Sequence, residues 1–246
     1  MTEELAVNEI FGPTIQGEGK SAGMACTFLR LVYCNLACRW CDTPYTWDWK
    51  RHDKVAEVHR MSVDDVLARL DRHSVKAPRW DALGEVTHKR NLVISGGEPM
   101  LQQQRLLPLL GRLRADRWWI EVETNGTINP IPEFLELVDQ VNCSPKLSNS
   151  GEDERLRCKS LPLRILAAWP RTNFKFVIDR ANDIDEVRSL VFDYLIDKGR
   201  IYLMPQGRTR EEMVRTEPLA SALAAQHGFK FAPRLHIHQY GDQRGV

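Results

Sequence analysis

Three cysteines lie close together in the sequence, at Cys34, Cys38 and Cys41. Their thiolates can ligate three irons of a cubane 4Fe-4S cluster, which leaves the fourth iron without a protein ligand and open to chemistry. Ferredoxin clusters and structural zinc sites normally use four protein ligands. The downstream histidines His52 and His59 are not at a zinc-finger spacing. The spacing therefore favours a reactive cluster over zinc or a purely structural site, which remain the alternatives.

A pair of glycines follows a short predicted strand. Residues 91–94 are apolar and β-branched, which predicts a buried strand, and Gly96-Gly97-Glu98 comes shortly after it. A glycine pair before a proline is most often only a turn. Its position favours a functional loop, because α/β barrels place such loops at the carboxyl ends of their strands.

The composition is that of a globular protein. The 246 residues suffice for one sizeable core, and we expect a single domain over residues 1–246. Apolar residues make up 43% and charged residues 27%, and a net charge of +1 gives no reason to expect a nucleic-acid partner. The acidic N-terminus lacks an apolar signal core, and no segment approaches the ~20 apolar residues that cross a bilayer. We therefore expect no membrane partner.

The other cysteines are Cys26, Cys143 and Cys158, and their scatter predicts no disulfide framework. Reduced thiols of this kind are typical of cytoplasmic proteins.

Predicted strands and helices alternate along the chain. The strands are expected at residues 25–32, 91–95, 118–123, 174–178, 201–204 and 234–238. The helices are expected at residues 62–71, 103–114, 132–139, 184–195 and 211–227. Repeated βα units predict a parallel sheet with right-handed crossovers. The chain is short for a complete eight-unit barrel, so an α/β fold with a partial (βα)6-type, TIM-like barrel fits better. Residues 47–60 and 148–162 are expected to be irregular insertions.

The cluster loop and the glycine pair resemble motifs of the radical S-adenosylmethionine (SAM) superfamily. An aromatic residue, Trp40, precedes the last cysteine, and Gly96-Gly97-Glu98 is similar to the superfamily's GGE motif. The resemblance implies that the amino and carboxylate groups of SAM bind the open iron. One electron from the cluster then cleaves SAM to methionine and a 5′-deoxyadenosyl radical.

Motifs over most of the chain resemble one family, 7-carboxy-7-deazaguanine synthase. In order they begin at Glu9 (EIFGPTIQGEG), Cys41 (CDT), Glu123 (ETNG), Cys143 (CSPK), Lys175 (KFV), Met204 (MPQG) and Gly241 (GDQRGV). The family acts on 6-carboxy-5,6,7,8-tetrahydropterin in queuosine and deazapurine biosynthesis. It abstracts hydrogen from carbon 6, contracts the ring and releases ammonia. The resemblance thus implies a lyase that needs a 4Fe-4S cluster, SAM and Mg²⁺.

The resemblance also implies the residues that contact each group. The SAM contacts are Trp40, Asp42, Gly96, Gly97, Glu98, Ser144, Pro145, Lys146 and Gln206. The substrate contacts are Ile15, Gln16, Gly17, Glu18, Arg30, Ser95 and Val246. The metal ligands are Cys34, Cys38 and Cys41 for the cluster and Thr43 for Mg²⁺.

The chemistry of these side chains agrees with a pterin carboxylate as the ligand. Gln16 offers a donor and an acceptor and Glu18 accepts, which matches the edge of a pterin. Arg30 suits bidentate pairing with a carboxylate. The Thr43 hydroxyl suits Mg²⁺, which takes oxygen ligands. A terminal carboxylate at Val246 would accept from the pterin's donors. Each residue also has an alternative without a ligand. Gln16 and Glu18 would lie on an ordinary surface turn, and Arg30 would be a surface arginine. Thr43 would hydrogen-bond within its own turn, and the tail up to Val246 would only pack on the protein.

Other functions remain possible from the sequence. An activase that installs a glycyl radical on a partner protein would share the cluster loop and the SAM site. An iron–sulfur electron carrier or a zinc module is disfavoured by the missing fourth cysteine. The resemblance implies a flavodoxin or ferredoxin as electron donor and a homodimer.

Overall fold

A computed structural model describes residues 4–80 and 84–246 of the chain; the first residues of the acidic N-terminus lie outside the described residues. The strands are β1 (Leu5–Ile15), β2 (Ala25–Leu31), β3 (His59–Met61), β4 (Lys76–Trp80), β5 (Val86–Gly96), β6 (Trp119–Thr124), β7 (Gln140–Cys143), β8 (Thr172–Ile178), β9 (Ile201–Pro205) and β10 (Lys230–Phe231). The helices are α1 (Lys54–Glu57), α2 (Val63–His73), α3 (Gln103–Ala115), α4 (Pro132–Leu137), α5 (Glu154–Arg157), α6 (Ser160–Ala168), α7 (Asp183–Asp193), α8 (Arg210–His227) and α9 (Leu235–Tyr240).

The strands of the described residues form one sheet in the order β10-β9-β8-β7-β6-β5-β2-β1-β3, and β4 pairs with β5. Strands β2 and β5 to β9 are parallel neighbours, and β10 continues them. Strands β1, β3 and β4 are antiparallel additions. The prediction of an α/β fold with a partial (βα)6-type barrel is confirmed. The assignment of residues 1–246 to one domain stays a prediction.

The two faces of the parallel strands differ in polarity. On β6, Ile120 and Val122 are buried in the main apolar cluster, while Glu121 alternates with them and points to the other face. On β8, Phe174 and Phe176 flank Lys175 in the same way. The helices cover the apolar face, and the polar side chains fill the interior of the barrel. This alternation is what brings charged groups together inside the fold.

The helices begin and end largely as predicted. The Ser62 side chain accepts from the backbone N–H of Asp65 at 3.2 Å and caps α2. The predicted apolar stripe on α3 is fully buried, and it consists of Leu106, Leu109, Leu110 and Leu113. Among the described residues, no helix has both the length and the apolar character needed to cross a membrane.

The predicted strand at residues 234–238 is wrong, because this segment forms helix α9. Leucine and isoleucine alternate here with His236 and His238, which imitates a strand pattern. The edge of the sheet is already occupied by β10, and Ala232 continues its pairing by donating to Leu203 O at 2.9 Å. The Arg234 side chain then turns inward, and the Leu235 N–H donates to Gly17 O at 2.9 Å. These long-range contacts override the local pattern.

Strand β1 was not predicted from the sequence. Gly12 and Pro13 interrupt its apolar pattern, and both residues normally weaken or end a strand. The pairing with β2 shifts register between Phe11 and Thr14, so the irregularity is absorbed at this point. Its partner strand also holds Phe28, which stacks on Phe11 with ring centroids 5.0 Å apart.

The two segments expected to be irregular contain short regular elements, which corrects that expectation in part. Residues 47–60 include α1 and the first residues of β3. Residues 148–162 include a 3-10 turn at Ser148–Ser150, helix α5 and the start of α6.

Candidate active site

A cavity of about 510 Å³ opens at the carboxyl ends of the parallel strands. Ser95 and Gly96 of β5, Thr124 of β6 and Met204 of β9 line it, as expected for a barrel whose functional loops follow its strands. Of the residues predicted to bind the cluster, SAM, Mg²⁺ or substrate, all line this cavity except Glu98 and Pro145. The structure therefore brings together motifs that are spread along the whole chain.

The three cysteine side chains face the same cavity. Burial raises the pKa of the Cys34 thiol to about 12 and that of the Cys38 thiol to about 11. Holding these sulfurs as thiolates therefore requires a strongly cationic partner such as iron. The donor set fits a cluster with three protein ligands.

The number of cysteines in the loop bears on the choice between a cluster and a zinc ion. A structural zinc ion normally takes four Cys or His ligands, and the loop supplies three. Among the described residues, the one set of three His, Cys, Asp or Glu ligand atoms within 4.8 Å of one another is Glu18, Asp42 and His236, and it contains no cysteine. The ligand count therefore disfavours the zinc alternative.

The glycine pair allows strand β5 to end directly against the cluster loop. Gly96 has a φ of +129°, and a Cβ there would lie 2.0 Å from the backbone oxygen of Leu31. A Cβ on Gly97 would lie 2.1 Å from the oxygen of Tyr33 and 2.9 Å from the nitrogen of Cys34. Any side chain at either position would displace the backbone that carries the first cysteine.

Glu98 is fully buried and does not line the cavity. Its carboxylate accepts from Met100 N at 2.9 Å, Thr124 Oγ1 at 2.9 Å and Asn125 N at 2.7 Å. Burial raises the pKa of Glu98. The side chain ties the end of β5 to the end of β6, so it positions the glycine pair. Its contact with SAM stays a prediction.

A lysine and a tryptophan form one wall near the cysteines. The Lys146 ammonium donates to Ser144 Oγ at 3.2 Å and lies 5.5 Å from the centroid of the Trp40 ring. The indole N–H of Trp40 donates to Asn149 O at 3.0 Å, which fixes the ring. This wall presents a cation beside the cluster loop.

A group of buried charges, which we call the acidic cluster, lines another part of the cavity; it consists of Glu18, Asp42, Glu123, Lys175 and Arg234. The Lys175 ammonium lies 2.9 Å from Glu18 Oε2 and 2.7 Å from Glu123 Oε2. Arg234 pairs with Glu18 Oε1 at 3.0 Å and with Asp42 Oδ2 at 2.5 Å. Three carboxylates face two cations, so the acidic cluster carries one excess negative charge when all five groups are ionised.

The electrostatics of the acidic cluster depend on these pairs. Burial opposes ionisation of Glu18, but the charges of Lys175 and Arg234 hold the pKa of its carboxyl well below the usual range. Burial raises the pKa of Glu123 in spite of Lys175. Burial lowers the pKa of His236, which lies beside Glu18, so its ring is neutral at pH 7. Because Arg234 donates to both Glu18 and Asp42, both carboxylates of the 4.8 Å set already have a cationic partner.

Several members of the acidic cluster were missed at the sequence level. No function was assigned to Glu123, Lys175 or Arg234, although the first two lie in recognised motifs. Lys175 is only 2% exposed, and a single lysine inside an apolar strand was a signal of a paired, buried charge. The sequence gives no comparable indication that Arg234 is buried, because this residue begins a segment whose pattern predicts a strand.

Two arginines that line the cavity form a second group, which we call the arginine cluster: Arg30 and Arg244, joined by Glu9. Arg30 Nε donates to Glu9 Oε1 at 2.7 Å, and Arg244 Nε donates to Glu9 Oε2 at 3.2 Å. The Arg244 guanidinium also lies 4.0 Å from the centroid of the Tyr45 ring and pairs with Glu57 at 2.8 Å. These contacts hold the segment up to Val246 against the cavity.

Comparisons with known proteins show which family this chain resembles. Residues 15–161 match the family described as "4Fe-4S single cluster domain". The chain is 36% identical over 244 residues to the 7-carboxy-7-deazaguanine synthase of Pyrobaculum aerophilum, and the match covers 99% of this chain and 98% of that protein. It is 32% identical to the protein of the same name from Halobacterium salinarum, covering 97% and 91%. The crystal structure of QueE from Escherichia coli matches with a TM-score of 0.65 and 26% identity over 95% of each chain.

Proposed function

This chain belongs to the 7-carboxy-7-deazaguanine synthase family, and we propose that its substrate is 6-carboxy-5,6,7,8-tetrahydropterin, converted with Mg²⁺ to 7-carboxy-7-deazaguanine and ammonia. As a radical SAM enzyme of queuosine biosynthesis, it uses a 4Fe-4S cluster and SAM. When bound, these cofactors supply an electron and a 5′-deoxyadenosyl radical. The observation that carries the substrate assignment is the presence of both the acidic cluster and the arginine cluster in one cavity.

The acidic cluster fits the pterin's guanidine-like edge. This edge presents N–H donors, and ionised carboxylates accept hydrogen bonds only. Glu18 is held ionised by Lys175 and Arg234, and each carboxylate oxygen keeps a free lone pair beside its ion pair. The Gln16 amide donates to Glu123 Oε1 at 3.1 Å, which fixes the position of this carboxylate. The excess negative charge favours a ligand edge that donates.

The arginine cluster fits the substrate carboxylate. In the described residues, Arg30 has a bonded partner for Nε, which leaves its two terminal nitrogens for an incoming carboxylate. The side chain is held between Glu9 and the Phe11 and Tyr45 rings, with its guanidinium 5.4 Å and 5.9 Å from their centroids. A fixed guanidinium loses little entropy on binding. A substrate whose carboxylate is bound by Arg30 would have its carbon 6 held in place for hydrogen abstraction.

SAM is assigned to the wall formed by Trp40 and Lys146, next to the glycine pair. The Lys146 ammonium suits the SAM carboxylate, and the backbone oxygens near Gly96 and Gly97 suit its amino group. These residues orient SAM, and the radical chemistry belongs to the cofactors.

The central test is anaerobic incubation of the reconstituted protein with SAM, a reductant, Mg²⁺ and 6-carboxytetrahydropterin. We expect mass spectrometry to detect 7-carboxy-7-deazaguanine together with ammonia. If SAM is cleaved but the pterin is unchanged, the substrate assignment is wrong while family membership stands. A glycyl-radical activase would instead leave the pterin unchanged and modify a partner protein.

The Mg²⁺ assignment predicts a selective defect in Thr43→Val. The Thr43 hydroxyl lines the cavity, and its nearest polar side-chain contact in the described residues is Cys41 Sγ at 3.7 Å, so it is available to a metal. The valine variant should lose about 10- to 100-fold in turnover and keep its cluster spectrum and SAM binding. Thr43→Ser retains the oxygen and serves as the matched control. Equal stimulation by Mg²⁺ in the valine variant and the wild type would remove Thr43 from the metal site.

The tail up to Val246 is proposed to close the substrate cavity. Arg244→Ala removes its pairs with Glu9 and Glu57 and its contact with Tyr45, so the tail should detach. We expect the substrate KM to rise about tenfold, or roughly 1.4 kcal/mol, with uncoupled SAM cleavage unchanged. The control is Arg112→Ala, whose partner Asp64 is a surface carboxylate. An unchanged KM in the Arg244 variant would show that the tail only packs.

Further proposals concern the partners of the enzyme. An electron donor is required, and we propose a flavodoxin or a ferredoxin. We also propose that the enzyme forms a homodimer. We place it in the cytoplasm, because the described cysteines are free thiols, as is usual for proteins of that compartment. Analytical ultracentrifugation tests the dimer, and stopped-flow reduction by each candidate protein tests the donor.

A further inference from the structure

Trp47 lies just after the cluster loop, in a segment to which the family motifs assign no function. It follows a 3-10 turn at Pro44–Thr46, and its backbone N–H donates to Pro44 O at 3.1 Å. The turn is itself held by the Tyr33 N–H, which donates to Thr46 O at 2.8 Å. The backbone of Trp47 is therefore fixed relative to the residue that precedes Cys34.

The indole of Trp47 points at one of the cluster ligands. Its Nε1–H donates to Cys41 Sγ, with nitrogen and sulfur 3.4 Å apart. The other side-chain contacts to these three sulfurs are longer: Asn125 Nδ2 lies 4.0 Å from Cys34 Sγ, and Thr43 Oγ1 lies 3.7 Å from Cys41 Sγ. Among the described residues, Trp47 is thus the nearest side-chain donor to any cluster sulfur.

A hydrogen bond to a ligating thiolate changes the energy of the two redox states unequally. The reduced cluster carries one more negative charge, and part of that charge lies on the sulfurs. A donor fixed at the sulfur stabilises the reduced state more, so it raises the reduction potential. The indole N–H donates but cannot accept, so it stabilises negative charge on the sulfur in both redox states, and the more negative reduced state gains more.

We propose that Trp47 is a positioning residue that raises the reduction potential of the 4Fe-4S cluster through its hydrogen bond to Cys41. It makes the cluster easier to reduce by the electron donor, without touching the substrate. This inference depends on the cluster alone, so it stands or falls independently of the proposed pterin substrate.

The test compares Trp47→Phe with Trp49→Phe in the reconstituted full-length protein. Phenylalanine keeps an aromatic ring and removes the N–H. Trp49 is the matched control, because its ring packs on Tyr33, with centroids 6.1 Å apart, and not on a cysteine. The midpoint potential is measured by anaerobic spectroelectrochemical titration without SAM or substrate, after iron and sulfide contents have been matched.

We expect the ratio of reduced to oxidised cluster in Trp47→Phe to fall about tenfold at the wild-type midpoint, which is about 59 mV for a one-electron couple. Trp49→Phe should match the wild type. An unchanged potential in Trp47→Phe, or an equal shift in both variants, would overturn the proposal.

A second measurement tests the proposal on the wild-type protein, for the case in which the Trp47 variant does not retain its cluster. Wild-type protein grown with ¹⁵N-indole tryptophan is reduced and examined by pulsed EPR. We expect a hyperfine coupling to one indole nitrogen, because the N–H bridges to a cluster sulfur. The absence of any such coupling would equally overturn the proposal.

Discussion

Replacing Cys38 with alanine is expected to abolish reductive SAM cleavage, and the same holds for Cys34 and Cys41. The three sulfurs line one cavity and are the proposed protein ligands of the cluster, so removing one would leave two. The loss should exceed the roughly 100-fold that removal of a supporting residue around a metal site can cost. Iron and sulfide analysis, the visible spectrum and production of 5′-deoxyadenosine measure the effect.

The controls for this prediction are the remaining cysteines. Cys158 lies away from the cavity, where its sulfur contacts Tyr194 OH at 3.5 Å. Cys26 and Cys143 are buried in the fold. Alanine at any of these three positions should leave the cluster content and SAM cleavage close to those of the wild type. A fully active Cys38→Ala protein would refute the ligand assignment.

Gly97→Ala is expected to damage both the fold and the cluster site. The new Cβ would lie 2.1 Å from Tyr33 O and 2.9 Å from Cys34 N, and both are backbone atoms that cannot turn away. The clash should destabilise the protein by about 3 kcal/mol or more and displace Cys34, so the cluster is lost as well. Thermal unfolding and iron content report the two effects.

Gly111→Ala provides the matched control for that substitution. Gly111 lies in helix α3, and a Cβ at this position would meet no atom within 4 Å. Alanine is the better helix former, so this variant should be unchanged or stabilised by up to ~1 kcal/mol. If Gly97→Ala unfolds at the same temperature as Gly111→Ala and holds the same amount of iron, the close approach of β5 to the cluster loop is not required.

The order of helices and strands was largely predictable because most of these elements depend on short-range sequence patterns. The apolar stripe of α3 and the Ser62 cap of α2 depend on residues only three or four positions apart. The irregular strand β1 and helix α9 were not predictable in this way. In β1 a register shift absorbs Gly12 and Pro13, and in α9 the anchored Arg234 decides the path of the chain.

The site was predictable to a similar extent. Motifs located most of the residues that line the cavity, but not the role of the Glu98 carboxylate, which joins two strand ends. The contact of Glu98 with SAM stays a prediction. A motif identifies a position and not the direction in which its side chain points. That direction depends on which neighbouring backbone N–H groups are left for the carboxylate to accept from.

By itself, the sequence determined the family and its radical SAM chemistry, and it predicts the three cluster ligands, because a cluster loop is a local structure whose ligands are set by their spacing. Only the tertiary structure decided the charge of the pocket. Lys175 meets Glu18 across 157 positions, and Arg234 meets the same glutamate across 216. Buried charges are tolerated only where opposite charges and hydrogen bonds compensate for lost water. Which charges meet depends on strand register and on the alternation of side chains across the sheet, and neither is encoded in any one segment.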